Sequence, residues 1–146
     1  MLQLEDLMEQ WKVDSTIDKN HLDTASIRTA NLHQKYLDEL TQYKIKIFGL
    51  DKKYLEMKGL RSRYYNGQMT KQELIDYGWD QYQYKTPMKS ELERLLETDT
   101  HLLEIKDKTS YFTFCFEYCE EVLKALRDRN YQIKAAIDFI KFQAGY

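Results

Sequence analysis

Ile47-Phe48-Gly49-Leu50-Asp51-Lys52-Lys53-Tyr54-Leu55-Glu56-Met57-Lys58-Gly59-Leu60-Arg61-Ser62-Arg63-Tyr64-Tyr65 carries two superimposed patterns. The first is apolar. Ile47, Leu50, Tyr54, Met57, Arg61 and Tyr64 recur in steps of three and four, and the series runs backwards through Tyr43, Leu40 and Tyr36. Such alternation is a heptad seam, one face of a helix that packs against another helix. Asp18 or Asn20 can cap this helix, no proline interrupts it, and Asn66-Gly67 is a turn signal, so one element is expected to reach about Tyr65. Near its start the seam degrades to Leu22, Ser26, Thr29 and His33. Gly49 and Gly59 each cost about 1 kcal/mol relative to Ala in a helix interior, so bends or close helix contacts are expected there.

The rest of the chain repeats the theme. Leu2, Leu4, Leu7, Met8 and Trp11 make a short amphipathic helix that ends at Asp14-Ser15-Thr16. Residues 66–86 hold Gly67, Gly78 and an aromatic run from Tyr77 to Tyr84, which read as a connector with a helical turn at Lys71 to Tyr77. Thr86-Pro87 supplies a capping hydroxyl and a first-turn proline for a third helix. It continues through Leu92, Leu95, Leu96, Leu102, Leu103 and Ile105 to the seam of Cys115, Cys119, Val122 and Leu126. Tyr111 to Phe116 is β-prone and alternating, but no second strand is present to pair with it. Asn130 is expected to break or kink the helix before a last amphipathic segment with Ile133, Ala136, Ile137 and Ile140. The fold expected is therefore all-α, with long amphipathic helices and coiled-coil-like packing. Two helices of more than forty residues would each be roughly 60 Å long, too long for a compact domain of 17.7 kDa. Their seams must fold back on each other or pack between subunits, so a homo-oligomer is expected. The C-terminal positions Cys119, Val122, Leu126, Ile133, Ala136, Ile137 and Ile140 are its candidate contacts. Residues 1–86 form the expected N-terminal region and 87–146 the oligomerisation region.

Composition narrows the function. With 42% hydrophobic and 32% charged residues, one Pro and five Gly, the 146 residues exclude a disordered or low-complexity chain. No run approaches the roughly 18 to 20 apolar residues of a membrane span, and Leu4-Glu5-Asp6 follows Met1 where a signal peptide would be apolar, so a cytoplasmic protein is expected. Cys115 and Cys119 lack the further ligands a zinc site needs, and free thiols are expected. His21, His33 and His101 are scattered and no phosphate loop or nucleophile motif occurs. Neither an enzyme nor a cofactor or metal site is expected.

The second pattern in the opening stretch is charge. Net charge is −2 over the whole chain, yet residues 44–63 hold seven basic and two acidic side chains, while residues 1–43 hold four and eight. Lys52-Lys53-Tyr54 and Lys58-Gly59-Leu60-Arg61-Ser62-Arg63-Tyr64-Tyr65 interleave cations with aromatics. Cations neutralise phosphates and rings stack on bases, the combination used to hold single strands without reading their sequence. Tyr54 and Tyr64 also fit the seam, where their role is core packing. Arg61 sits at a seam position, where a charge needs a partner, a path to solvent or a functional reason. A coiled-coil scaffold or assembly chaperone whose basic stretch is only a solvated face is the alternative.

Leu4-Glu5-Asp6-Leu7, Ile17-Asp18, the basic stretch with Tyr64-Tyr65-Asn66-Gly67, Met88-Lys89, Phe114-Cys115, Ile133-Lys134 and Ala144-Gly145 occur in an order and spacing that resembles the UvsY recombination mediators of T-even-like bacteriophages. The resemblance implies a small, non-enzymatic, oligomeric protein of an infected bacterial cell that binds single-stranded DNA. It further implies that the protein helps a RecA-like recombinase replace the phage single-stranded-DNA-binding protein, with assembly attributed to the C-terminal part. The family's DNA-contacting motif is a basic residue, a spacer and Arg shortly before the tyrosine pair. Here Arg61-Ser62-Arg63 reproduces basic-x-basic immediately before the tyrosines. Ungapped alignment on the tyrosines keeps Arg61, puts Gly59 at the first basic position and displaces Lys58 by one. The resemblance therefore nominates Arg61, then Arg63 and Lys58, with Lys52, Lys53, Tyr64 and Tyr65 beside them.

Overall fold

In the computed structural model, residues 1–145 are described and form five α-helices, with no strand among them: α1 (Leu4–Asp14), α2 (Leu22–Tyr65), α3 (Lys71–Tyr77), α4 (Lys89–Glu97) and α5 (Thr100–Gln143). The all-α expectation holds, and Tyr111 to Phe116 is helical. Three boundaries differ from the sequence reading. The third helix starts after Thr86-Pro87, at Lys89, where Glu91 reaches back to accept the Met88 amide. It stops at Glu97 because Asp99 turns its carboxylate onto the Leu102 amide (3.1 Å) and opens α5 as its cap. Asn130 causes no break, since it lies exposed within α5, where its side chain need not compete for the helix's hydrogen bonds.

Contacts divide the chain into two units, residues 1–46 with 111–146 and residues 47–110. This cut crosses both long helices and does not follow the division at residue 86 expected from the connector.

In the first unit, α1 lies against the seams of α2 and α5. Leu7, Leu32, Tyr36, Tyr43, Cys115, Cys119, Val122, Leu123 and Leu126 form its core. Each large side chain fully buried there contributes about 1.5 to 3 kcal/mol. The buried tyrosines also place α1. Tyr43 donates its hydroxyl to the Leu2 carbonyl (2.7 Å), and Tyr36 donates to Asp14 Oδ2 (2.9 Å) at the other end of the arm. Glu39 accepts the Leu2 amide and Tyr111 the Leu4 amide. Asp14 is a hub that also holds Arg28 (3.0 Å) and Lys35 (2.6 Å), while Arg129 donates to the Asp14 carbonyl at the C-terminal end of α1. Burial pushes the Asp14 carboxyl up, but the hydrogen bonds from Lys35 and Tyr36 and the charges of Lys35 and Arg28 outweigh it, so the group sits below its ordinary value. Burial pushes the Cys119 thiol up to about 12, consistent with a small apolar side chain in a core.

The second unit holds the remainder of α2 with α3, α4 and the start of α5, and its buried apolar residues are Leu50, Leu96, Leu102 and Ile105. Two glycines close helices here with positive φ. Gly67 (φ 67°) follows α2, where the Gln68 amide returns to the Arg63 carbonyl, and Gly78 (φ 71°) follows α3, where the Trp79 amide returns to the Leu74 carbonyl. The close contacts expected at Gly49 and Gly59 are absent: both lie exposed, with nothing within 4 Å of where a Cβ would stand.

Candidate nucleic-acid interface

The basic stretch lies in the last six turns of α2; Lys44 and Lys46 belong to the first unit, and Lys52, Lys53, Lys58, Arg61 and Arg63 to the second. Its apolar stripe faces inward, which leaves the cations on the remaining surface. Lys52, Lys53 and Lys58 are exposed, and none has an ion-pair partner among the described residues. At 3.6 residues per turn Lys52 and Arg63 point the same way about three turns, or roughly 16 Å, apart, while Lys53 and Lys58 flank the buried stripe on opposite sides. They surround the helix and do not form a single row.

Arg61, nominated by the resemblance for DNA contact and read as a seam position that needs a partner, is buried and has one. It is 7% exposed. Its Nε donates to Asp99 Oδ2 at 2.7 Å, and its guanidinium lies 4.3 Å from the Tyr64 ring centre, 4.5 Å from that of Trp79 and 5.2 Å from that of Tyr65. The seam position supplies the reason. A cation directed into the packed face is stable only with a carboxylate and ring faces around it, and the helix cap Asp99 provides the charge. Tyr65 donates to the same Asp99 oxygen at 2.6 Å. Burial raises the Asp99 carboxyl, yet the hydrogen bonds from Tyr65, Arg61 and the Leu102 amide, with the Arg61 charge, bring it below its ordinary value.

Arg63 is half exposed and tied to the connector. Its Nη2 donates to Glu73 Oε1 at 2.8 Å, and Glu73 also caps the Thr70 amide, so α2 and α3 share one carboxylate. Tyr64 and Tyr65 are half-buried. Tyr64 packs edge-on against Tyr65 and Trp79, Tyr82 closes on both tyrosines, and the Tyr64 hydroxyl donates to the Asp80 carbonyl. The connector is thus held against Arg61 and the tyrosine pair by its own aromatics, Trp79 and Tyr82.

Lys106 of α5 carries no signal in the sequence that would mark it for the site. Its Nζ lies 5.5 Å from the Tyr54 ring centre, and it borders the same groove as Lys58, with Glu93 and Glu97 opposite. Only the packing of α5 on α2 brings it there. Asp99 did leave a trace, since Thr98-Asp99-Thr100 is a run of capping residues within an otherwise apolar-periodic segment.

The seven positions expected to join subunits divide. Cys119, Val122 and Leu126 are buried in the core that α5 shares with α1 and α2, and Ile133 is also buried within the chain. Ala136 and Ile137 are half-buried, and Ile140 is 49% exposed next to the exposed Phe139 and Phe142.

No helix among the described residues is long and apolar enough to cross a membrane, and no group of three His, Cys, Asp or Glu side chains among them could hold a metal ion. The recombination protein uvsY of Enterobacteria phage T4 is 26% identical over 144 residues, 99% of each chain. Crystal structures of the bacteriophage T4 recombination mediator protein UvsY superpose with a TM-score of 0.82 at 25% identity over 99% of both chains in lattice type II, and 0.84 at 23% identity over 97% and 99% in lattice type IV. The family model described as "Recombination, repair and ssDNA binding protein UvsY" matches residues 10–146, so the chain belongs to the UvsY family.

Proposed function

We propose that the protein is a recombination mediator that binds single-stranded DNA through the exposed cations of α2 and promotes loading of a RecA-like recombinase onto strands covered by single-stranded-DNA-binding protein. The observation that carries this reading is the set of Lys52, Lys53 and Lys58, exposed and unpaired in the basic stretch of a chain of this family. Arg63 joins them through the part of its guanidinium that Glu73 leaves open. Arg61 serves the site from beneath: with Asp99 it fixes Tyr64, Tyr65 and the connector, and so the direction in which the end of α2 presents its charges. Several subunits acting together would raise weak single contacts to tight binding by effective concentration. Ala136, Ile137 and Ile140, where the seam of α5 emerges from the chain's own cover, are the contacts proposed for that assembly.

Binding of a fluorescent oligonucleotide tests the reading. Replacing Lys52, Lys53 and Lys58 together by Ala should weaken binding at least tenfold without changing helix content. Unchanged affinity would refute the assignment of these residues.

A further inference from the structure

Tyr84 is 78% exposed, and its ring meets that of Tyr82 at 5.3 Å between centres. Tyr82 is held from behind by Tyr64 (5.8 Å) and Tyr65 (5.0 Å), so the pair offers one fixed ring and one ring open to solvent. Both border an open groove of about 590 Å³ whose floor includes Pro87 and Leu95 and whose rim carries Lys85 and Arg94. Neither cation has an ion-pair partner among the described residues. The carboxylate on this rim, Glu91, is turned onto the Met88 amide at 3.4 Å. The groove lies outside the basic stretch, at the join of the connector and α4.

We propose that this groove is a base-binding subsite for single-stranded nucleic acid, in which a nucleobase stacks on Tyr84 while Lys85 and Arg94 meet the adjoining phosphates. The occupant follows from the chemistry. An open groove lined by Pro87, Leu95 and an exposed ring takes a planar aromatic group, and two unpaired cations beside it favour a polyanion over an uncharged or basic peptide. Stacking is indifferent to base identity, so the subsite adds affinity without sequence preference. The inference rests on the single-strand reading and extends it from phosphate neutralisation by α2 to recognition of bases by the connector.

The full chain is titrated against a labelled oligothymidylate and an abasic strand of equal length, which has the same phosphates and no bases. Tyr84→Ala should weaken binding of the thymidylate strand about fivefold or more and leave the abasic strand within twofold. Tyr84→Phe should retain wild-type affinity for both. Lys85→Ala with Arg94→Ala should weaken both strands and make the log-log salt slope shallower by about 0.7 for each phosphate that is no longer neutralised. Equal weakening on both strands with Tyr84→Ala, or none on either, overturns the subsite while leaving the α2 cations as the binding surface. Failure of the wild-type protein to bind either strand overturns the single-strand reading and the subsite with it. Unchanged DNA binding by Tyr84→Ala together with abolished recombinase binding overturns the proposal in favour of a protein-docking groove.

Discussion

Asp99→Asn separates the two roles that Arg61 can play, because they predict changes of opposite sign. The Asp99 side chain is 0% exposed and that of Arg61 9%, so water compensates neither charge. In the wild type, Oδ2 receives Arg61 Nε and the Tyr65 hydroxyl and Oδ1 receives the Leu102 amide. Asparagine keeps one acceptor oxygen but replaces the other by an amino group that faces a donor, and it removes the charge opposite the guanidinium. Leaving a buried ion without its partner costs about 3 to 5 kcal/mol, a large share of the roughly 5 to 15 kcal/mol that holds a domain folded. Urea unfolding followed by tryptophan fluorescence, to which Trp79 contributes with its ring centre 4.5 Å from the guanidinium carbon, measures the loss. Arg61→Met combined with Asp99→Asn removes both charges and should recover much of it, giving a coupling energy in a double-mutant cycle. Single-strand affinity of Asp99→Asn should fall as the connector loosens. If Arg61 instead served phosphate directly, releasing it from Asp99 would tighten binding. Tighter binding, or destabilisation below about 1 kcal/mol, refutes the structural role.

Asp14→Ala strips the carboxylate from Arg28, Lys35 and Tyr36 at once and should destabilise the first unit by about 1 to 3 kcal/mol, measured by thermal unfolding, chiefly because the buried Tyr36 hydroxyl loses its acceptor while the part-exposed cations turn to water. Asp14 and Asp99 both sit below the ordinary carboxyl value of 3.8, so their stabilisation is fully present above that value and is lost as pH falls through the lower folded ones. The contribution of these two carboxylates should therefore be constant near neutrality and fall in acid, and the acid fall should shrink in Asp99→Asn. Gly59→Ala meets nothing in the structure and should stabilise by up to about 1 kcal/mol in denaturant titration. Ile140→Asp should lower the oligomer mass in sedimentation equilibrium while leaving helix content intact, since Ile140 is half exposed in the single chain.

The helices were legible because their signal is periodic and local. The seam from Tyr36 to Tyr64 gave α2 its length, and Asn66-Gly67 gave its end. The break at Asp99 was obscured by leucines on both sides that keep the helical period across it, and Thr86-Pro87 pointed to a start that the chain delays to Lys89. At the site, the cations were legible but not their partners. Asp99 lies 38 positions from Arg61, and Glu73 ten from Arg63 across a turn, distances at which only packing decides who meets whom. The same limit hid Lys106, which joins Lys58 through helix pairing. The C-terminal seam was correctly apolar, but its period does not say which part a chain covers with its own α1 and α2.

The salt dependence of single-strand binding tests the central claim most directly. Affinity of the full chain for a labelled oligonucleotide is measured over a series of salt concentrations, for wild type and for the triple Ala variant of Lys52, Lys53 and Lys58. Each neutralised phosphate contributes about −0.7 to the log-log slope, so the variant should be shallower by about 2 for each subunit engaged. A wild-type affinity indifferent to salt, or a slope that the three substitutions leave unchanged, would contradict the account.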